Sequence, residues 1–399
     1  MSSSTLLSSA GKSVLGSIFA LSMLGSIATA SDKFPEELPE EDIGIIQELP
    51  SEYPKDWVFL HDMNFISPVD GKAVLFDPTA DTRNYKGSLG MSQFASFAQG
   101  TKRPELYVSE TFYTRGTRGD RIDVLTIHDR ENMAAIAEIV LPDGKRGQMM
   151  PQKTALSLTN NERFIMVYNF TPAASVYIID LDKREIVNEV QIPGCSLVYP
   201  LGKQGFATMC GDGTMTAFNL DDDGEAKRGD TTKFFNDMDE DPLFLKSVEV
   251  NGMTYFASFK GRIQPVDLSD KKAKVKKDWR IADGKIGPEG WRPAGWQMIT
   301  ADDTGDLIYV LMNEGAGEGD HKNGGGEVWA IDPKAKKLVR RIPMPNWAIS
   351  IEVTHGETPY LIVTNGNLEA DVFNASTGEY LRTFGGGAAQ HAFAIHAVK

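Results

Sequence analysis

A degenerate unit returning about every fifty residues constrains this chain more than any other feature. Each copy is an alternating apolar run that ends near Asp or Asn, a polar turn, and a second run. The copies start at Ala73 (AVLFDPTADTRNYKGSL), Val124, Val176 (VYIIDLDKREIVNEVQI), Met215, Ile263, Val328 and Ala370. Alternating β-branched and aromatic residues favour half-buried strands, and Asp or Asn followed by Gly or Lys favours a turn. Further strand-like runs lie between copies, at residues 105–111, 163–170, 254–259, 307–312 and 360–364. One repeat therefore holds about four strands, and helical periodicity is nearly absent. Seven units of four antiparallel strands predict an all-β, seven-bladed β-propeller. Strand-like residues 57–62 and 391–398 would close the ring and remove an exposed edge.

Three segments are expected. Residues 1–30 read as a signal peptide, with an apolar stretch from Val14 to Ile27 before the small-x-small site Ala28-Thr29-Ala30. The stretch is too short and too rich in Ser and Gly to span a membrane comfortably. Residues 31–56 form an acidic, Pro-containing arm, and residues 57–399 the propeller. No later stretch reaches membrane-spanning length, so the mature chain is expected to be soluble and exported. Two cysteines in an exported chain should pair. A hairpin centred on Gly202 and Lys203 gives partner numbers summing to 405, which sets Cys195 opposite Cys210. That cross-link would be worth roughly 3 kcal/mol.

Lys plus Arg total 41 against 55 Asp plus Glu, a net charge of -14 that repels phosphate backbones and disfavours nucleic acid. The six histidines are scattered without metal-ligand spacing, and no G-x-S-x-G, Gly-rich phosphate loop or H-E-x-x-H occurs. The Gly-rich runs have no helix behind them, and the acidic runs lack calcium-loop spacing. No catalytic residue or metal site is therefore expected in this chain. Two clusters stand out. Arg115, Arg118 and Arg121 fall within seven residues between two strong strands. They would clamp a carboxylate or meet an acidic protein face, or simply pair within their own blade through Asp120 and Asp123. Trp291, Arg292 and Trp296, in GWRPAGWQ, would make a subunit contact or a rigid corner.

Several segments together resemble the heavy chain of methylamine and aromatic amine dehydrogenases. They are ETFYTRGTRGDRIDVLTIHD from Glu110, TPAASVYIIDL from Thr171, Cys195 with MCGDG, and GWRPAGWQ from Gly290. The resemblance runs from about Trp57 to the C-terminus, and it rests on the order and spacing of these motifs. It implies a periplasmic assembly of two heavy and two light chains that oxidises primary amines to aldehyde and ammonia. Electrons would leave through a blue-copper protein such as amicyanin or azurin. The cofactor, tryptophan tryptophylquinone, would sit in the light chain, leaving this chain as scaffold without a redox centre. Phe65, in HDMNF, best matches a family phenylalanine that narrows the substrate entrance, although it also reads as a strand-end core aromatic. Ala294 departs from the glycine of the methylamine enzymes, which leaves methylamine and aromatic amines both open as substrates. The rival reading is a stand-alone exported β-propeller that binds proteins or ligands without enzymatic activity.

Overall fold

Apolar residues concentrate in the middle strands of each unit, and this gradient fixes how the sheets stack. Phe164–Asn169 and Ser175–Asp180 are buried at every position, whereas the next strand, Glu185–Gln191, is largely half-buried or exposed. A strand buried on both faces must lie between two sheets, while an outer strand meets solvent. The computed structural model describes residues 48–64, 70–281, 290–302, 306–384, 389 and 392–399. The expected signal peptide, most of the acidic arm and Phe65 lie outside the described residues. The final part of the arm packs on the sheets: Leu49 N–H donates to Glu131 O at 2.9 Å, and Tyr53 is 6% exposed.

The described residues form six antiparallel sheets. Sheet I orders Ala392–Ala397, Val58–Asp62, Gly71–Phe76 and Tyr85–Met91 from the axis outwards. Sheet II comprises Ser96–Gln99, Glu105–Arg115, Arg118–Asp129 and Ala135–Leu141. Sheet III runs Leu156–Leu158, Phe164–Asn169, Ser175–Asp180 and Glu185–Gln191. Sheet IV runs Cys195–Pro200, Gly205–Cys210, Met215–Leu220 and Ala226–Thr231. Sheet V has Leu243–Val250, Met253–Ser258 and Arg262–Asp267, with Lys274–Val275 and Trp279–Arg280 both pairing the last. Sheet VI has eight strands from Trp291–Pro293 to Tyr380–Phe384.

The seven-bladed expectation is therefore corrected: five sheets are blade-sized, and the sixth is one continuous eight-stranded sheet. The reason is local. Strand Lys337–Val353, 17 residues long, pairs Gly325–Asp332 through its first half and Tyr360–Asn365 through its second. Its middle, IPMPNWA, carries two prolines that hold φ in the extended range and keep the chain in strand geometry across the link. Elsewhere, outer-to-inner connections break the sheet with turn chemistry, such as Pro142–Gly144. The sequence repeats and the sheets are thus not one to one, since the copies from Val328 and Ala370 share sheet VI.

Successive sheets bury shared apolar cores. Phe59, Leu75, Phe97 and Val108 join sheets I and II, and Leu125, Ile127, Ile165 and Tyr177 join II and III. Val58, Val74 and Ile395 of sheet I meet Ile362 and Val372 of sheet VI, which closes the circle. Closure is also backbone-bonded, since Val58–Asp62 pairs Ala392–Ala397 on the strand expected to close it. Truncating a core side chain such as Phe164 (0% exposed) would cost about 3–5 kcal/mol.

The repeated Asp or Asn has a structural meaning. Asp77, Asp129, Asp180, Asp221, Asp267, Asp332 and Asn374 each accept a backbone N–H from two or three residues further on. These Asx-type turns lead from the third into the fourth strand of each repeat. They all fall at one end of the domain, here termed the turn end. The second-to-third strand connections and the links between sheets fall at the opposite end, the loop end.

Candidate functional site

Side chains of the innermost strands meet on the axis. Gln99, Ser157, Tyr199, Ser247, Glu352 and Ala397, one from each sheet, line a cavity of about 340 Å3 that reaches Thr101, Asn160 and His355 at the turn end. A second cavity of about 70 Å3 lies towards the loop end, between Pro151, Gln152, Lys246, Trp296 and Ala394. Lys153 and Glu352 line both cavities, and Lys153 Nζ lies 2.7 Å from Glu352 Oε1. The Glu352 carboxylate also accepts from Gln297 Nε2 at 2.6 Å and Thr300 Oγ1 at 3.1 Å. Enclosure by the channel walls lowers the Lys153 pKa against the pull of Glu352, although 37% of its side chain still faces cavity space. Beside this pair, the buried rings of His61 and His396 stack at 5.7 Å. Neither His61 nitrogen has a hydrogen-bond partner, and burial pushes that imidazole down to about 4. Burial also takes His396 well below its ordinary value, with Lys153 adding to the shift.

The arginine cluster forms the tip of a long hairpin at the loop end. Arg115 and Arg118 are cross-strand neighbours and exposed. Arg121 turns inward: its Nε and Nη2 donate to the two Asp123 carboxylate oxygens, each at 2.9 Å, and Nη2 also donates to Arg146 O at 2.6 Å. Beneath it the buried Arg146 donates to Ser109 Oγ at 3.0 Å, to Thr111 Oγ1 at 2.9 Å and to Phe94 O. Burial lowers this guanidinium to about 10. The hairpin thus presents two exposed guanidiniums on a base tied to the sheet.

The tryptophan segment lies at the same end. Trp291 packs against Trp329 at 5.5 Å, with the Arg341 guanidinium 4.4 Å from the Trp291 ring centre. Arg292 is 2% exposed and lies 4.5 Å over the Phe259 ring. Trp296 Nε1 donates to Pro151 O at 2.7 Å, and Lys246 Nζ sits 3.8 Å over its ring. Cys195 and Cys210, also at the loop end, form the expected disulfide in the expected register.

Sequence reading passed over Lys153, Lys246, Gln297 and Glu352. For Lys246 and Glu352 the signal was a charged residue in a largely apolar strand, as in LFLKSVEV and ISIEV; Lys153 and Gln297 lie outside the strands. Exposed large apolar side chains are sorted by position. Among the described residues each lies on an outermost strand or at the loop end, where Phe112, Ile122, Phe170, Phe234, Met238, Trp347 and Leu368 are found. No group of three or more His, Cys, Asp or Glu able to hold a metal occurs among the described residues.

Comparison with known proteins decides the family. The model of the methylamine dehydrogenase heavy chain matches residues 90–392. The chain belongs to the methylamine dehydrogenase heavy chain family. The family's heavy chain from Methylobacillus flagellatus is 30% identical over 274 residues, covering 68% of each sequence. That of Methylophilus methylotrophus is 26% identical over 381 residues, 92% of this chain and 91% of the relative. Among solved structures, a Lactobacillus plantarum protein has TM-score 0.61 at 13% identity, covering 86% of this chain and 98% of its own. A putative 6-phosphogluconolactonase from Bacteroides fragilis has TM-score 0.59 at 12% identity, covering 88% and 98%. At such identities these two speak for the fold alone. The arginine hairpin, the disulfide and the tryptophan segment all lie at the loop end of this member of the family.

Proposed function

We propose that this chain is the non-catalytic heavy subunit of an exported amine dehydrogenase, holding a light chain on its loop end. The observation that carries this is the sorting of exposed apolar residues. Phe112, Ile122, Phe170, Phe234 and Trp347 ring one end of the domain, together with the exposed Arg115 and Arg118. Aromatic and Arg side chains exposed together are what a protein interface buries. Family membership supports a light chain as the partner. Two heavy and two light chains in the periplasm, with amicyanin or azurin as electron acceptor, complete the assembly. The reaction is oxidation of a primary amine to aldehyde and ammonia.

The quinone chemistry is assigned to tryptophan tryptophylquinone in the light chain. This chain's own tryptophans are read as packing residues. Trp291 and Trp329 pack about Arg341, and Trp329 Nε1 donates to Glu327 at 2.8 Å. What this chain contributes is position: a platform of sheets and a guanidinium tip, with Phe65 assigned to the amine entrance on the family resemblance alone. Co-expression with a light chain and capture on a tag carried by this chain tests the reading. Co-purification with amine-dependent dye reduction, absent from this chain alone, is the expected result. A chain that emerges alone and inert would return it to the binding-module alternative.

A further inference from the structure

A lysine amine held against an indole, without a carboxylate, and facing a small cavity is an unusual use of charge. Lys246 lies on the innermost strand of sheet V, with Nζ 3.8 Å over the Trp296 ring. Among the described residues it has no ion-pair partner, since Glu352, the carboxylate of the same cavity, is taken up by Lys153, Gln297 and Thr300. The cavity holds about 70 Å3, and its wall includes Gln152, whose buried Oε1 accepts no hydrogen bond. An amine donor and an orphaned acceptor thus border one small, partly apolar space.

We propose that Lys246 is a carbonyl-reactive amine, and that the cavity beside Trp296 takes an aldehyde of one to three carbons as a reversible imine. The free Nζ lone pair attacks the carbonyl carbon, and the C=O π pair moves to oxygen. A proton passes from nitrogen to that oxygen to give the carbinolamine. Loss of water then yields the imine, with no oxidant or reductant involved. Gln152 Oε1 is the acceptor for the carbinolamine hydroxyl, and the Trp296 face keeps its cation–π contact with the protonated imine. Burial pushes the amine down to about 8, which raises its nucleophilic fraction near neutral pH about a hundredfold over an ordinary lysine. The charged groups facing it are Lys153 and Glu352 across the cavity and His321 from sheet VI, whose own pKa Lys246 helps to lower.

The test uses the full chain without any light chain, so its outcome does not depend on the heavy-subunit reading. The protein is incubated with acetaldehyde and cyanoborohydride at pH 7.5, and alkylation at each lysine is followed by peptide mass mapping. Lys246 is expected to be alkylated at least about tenfold faster than the exposed Lys233 and Lys277. Gln152→Leu should slow that site alone, and Lys246→Arg should abolish it with an unchanged far-UV spectrum. Equal rates at Lys246 and the two exposed lysines, or an unchanged Lys246 rate in Gln152→Leu, overturn the proposal.

Discussion

At the turn end seven acidic or amide side chains do one job, each accepting the backbone N–H groups of a tight turn, whereas at the loop end such turns, at Asp62, Asp212 and Asn365, stand beside connections of other kinds, the long arginine hairpin and the disulfide among them. At sheets II and III the turn end also pairs its own charges. Arg163 reaches Asp180 at 2.7 Å and also bonds Asp182, which in turn takes Arg103, while Arg184 meets Glu105 at 3.4 Å. The loop end instead leaves Phe170 61% and Phe234 64% exposed. Both ends bond their own backbone through such side chains, and the loop end adds exposed apolar groups that the chain itself does not cover. Regularity therefore marks where the fold is maintained, and irregularity marks where contact is made.

The sharpest challenge to this division is Asp180→Ala. Asp180 is fully buried, accepts from the Asp182 and Lys183 amides at 2.9 Å each, and holds Arg163. Its loss is expected to cost about 3 kcal/mol in denaturant unfolding and to leave light-chain capture by the folded fraction unchanged. Next comes the covalent tie of the loop end. Replacing Cys195 and Cys210 together by Ser is expected to remove somewhat under about 3 kcal/mol. Here capture should weaken as well, because the tie lies at the contact end; a stability loss with full capture would separate the two.

Acid acts on the axis between the ends and gives a smaller change. The buried His61 has a folded pKa of about 4, below its ordinary 6.5. The unfolded chain therefore binds more protons between those values, and stability present at pH 7 is lost as pH falls through 6.5 towards 4. The expected loss from His61 is about 1 kcal/mol between pH 7 and 5.5, and His61→Phe should make the profile shallower by that amount, leaving the share of His396. An unaltered pH dependence in that variant would show that His61 is not the group responsible. The smallest stability change is expected from Phe170→Ser with Phe234→Ser, within about 0.5 kcal/mol. These changes should nonetheless weaken light-chain capture about tenfold. Undiminished capture would break the assignment of the loop end.

The turn end was legible in the sequence because one physical rule is written there repeatedly. A Cβ-linked carboxylate or amide two or three residues before a turn N–H reads the same way at Asp77 and at Asn374. The disulfide was legible for a similar reason. The register summing to 405 holds at Cys195 with Cys210, and an irregularity between Ser196 and Tyr199, with Leu197 at φ 63°, shifts it by one nearer the turn. The merging of two repeats into sheet VI was not legible, because connections without glycine, such as residues 92–95 and 232–242, also end strands in this chain. The axial groups were hidden by distance in sequence. Lys153 and Glu352 are 199 residues apart, and only closure of the domain brings them together. Arg292, chosen as a contact residue for its chemistry, lies buried over Phe259, since composition does not reveal which way a side chain points.

The pairing of Val58–Asp62 with Ala392–Ala397 carries a consequence for biosynthesis. Sheet I waits for its axial strand until more than three hundred further residues have left the ribosome. Until then its inner edge stays open and unpaired, and any machinery acting on the nascent polypeptide meets a domain that cannot yet lock. Closure is therefore a late, once-only event, and a ribosome that stalls before residue 392 releases a chain with an open strand edge, a substrate for chaperones and proteases.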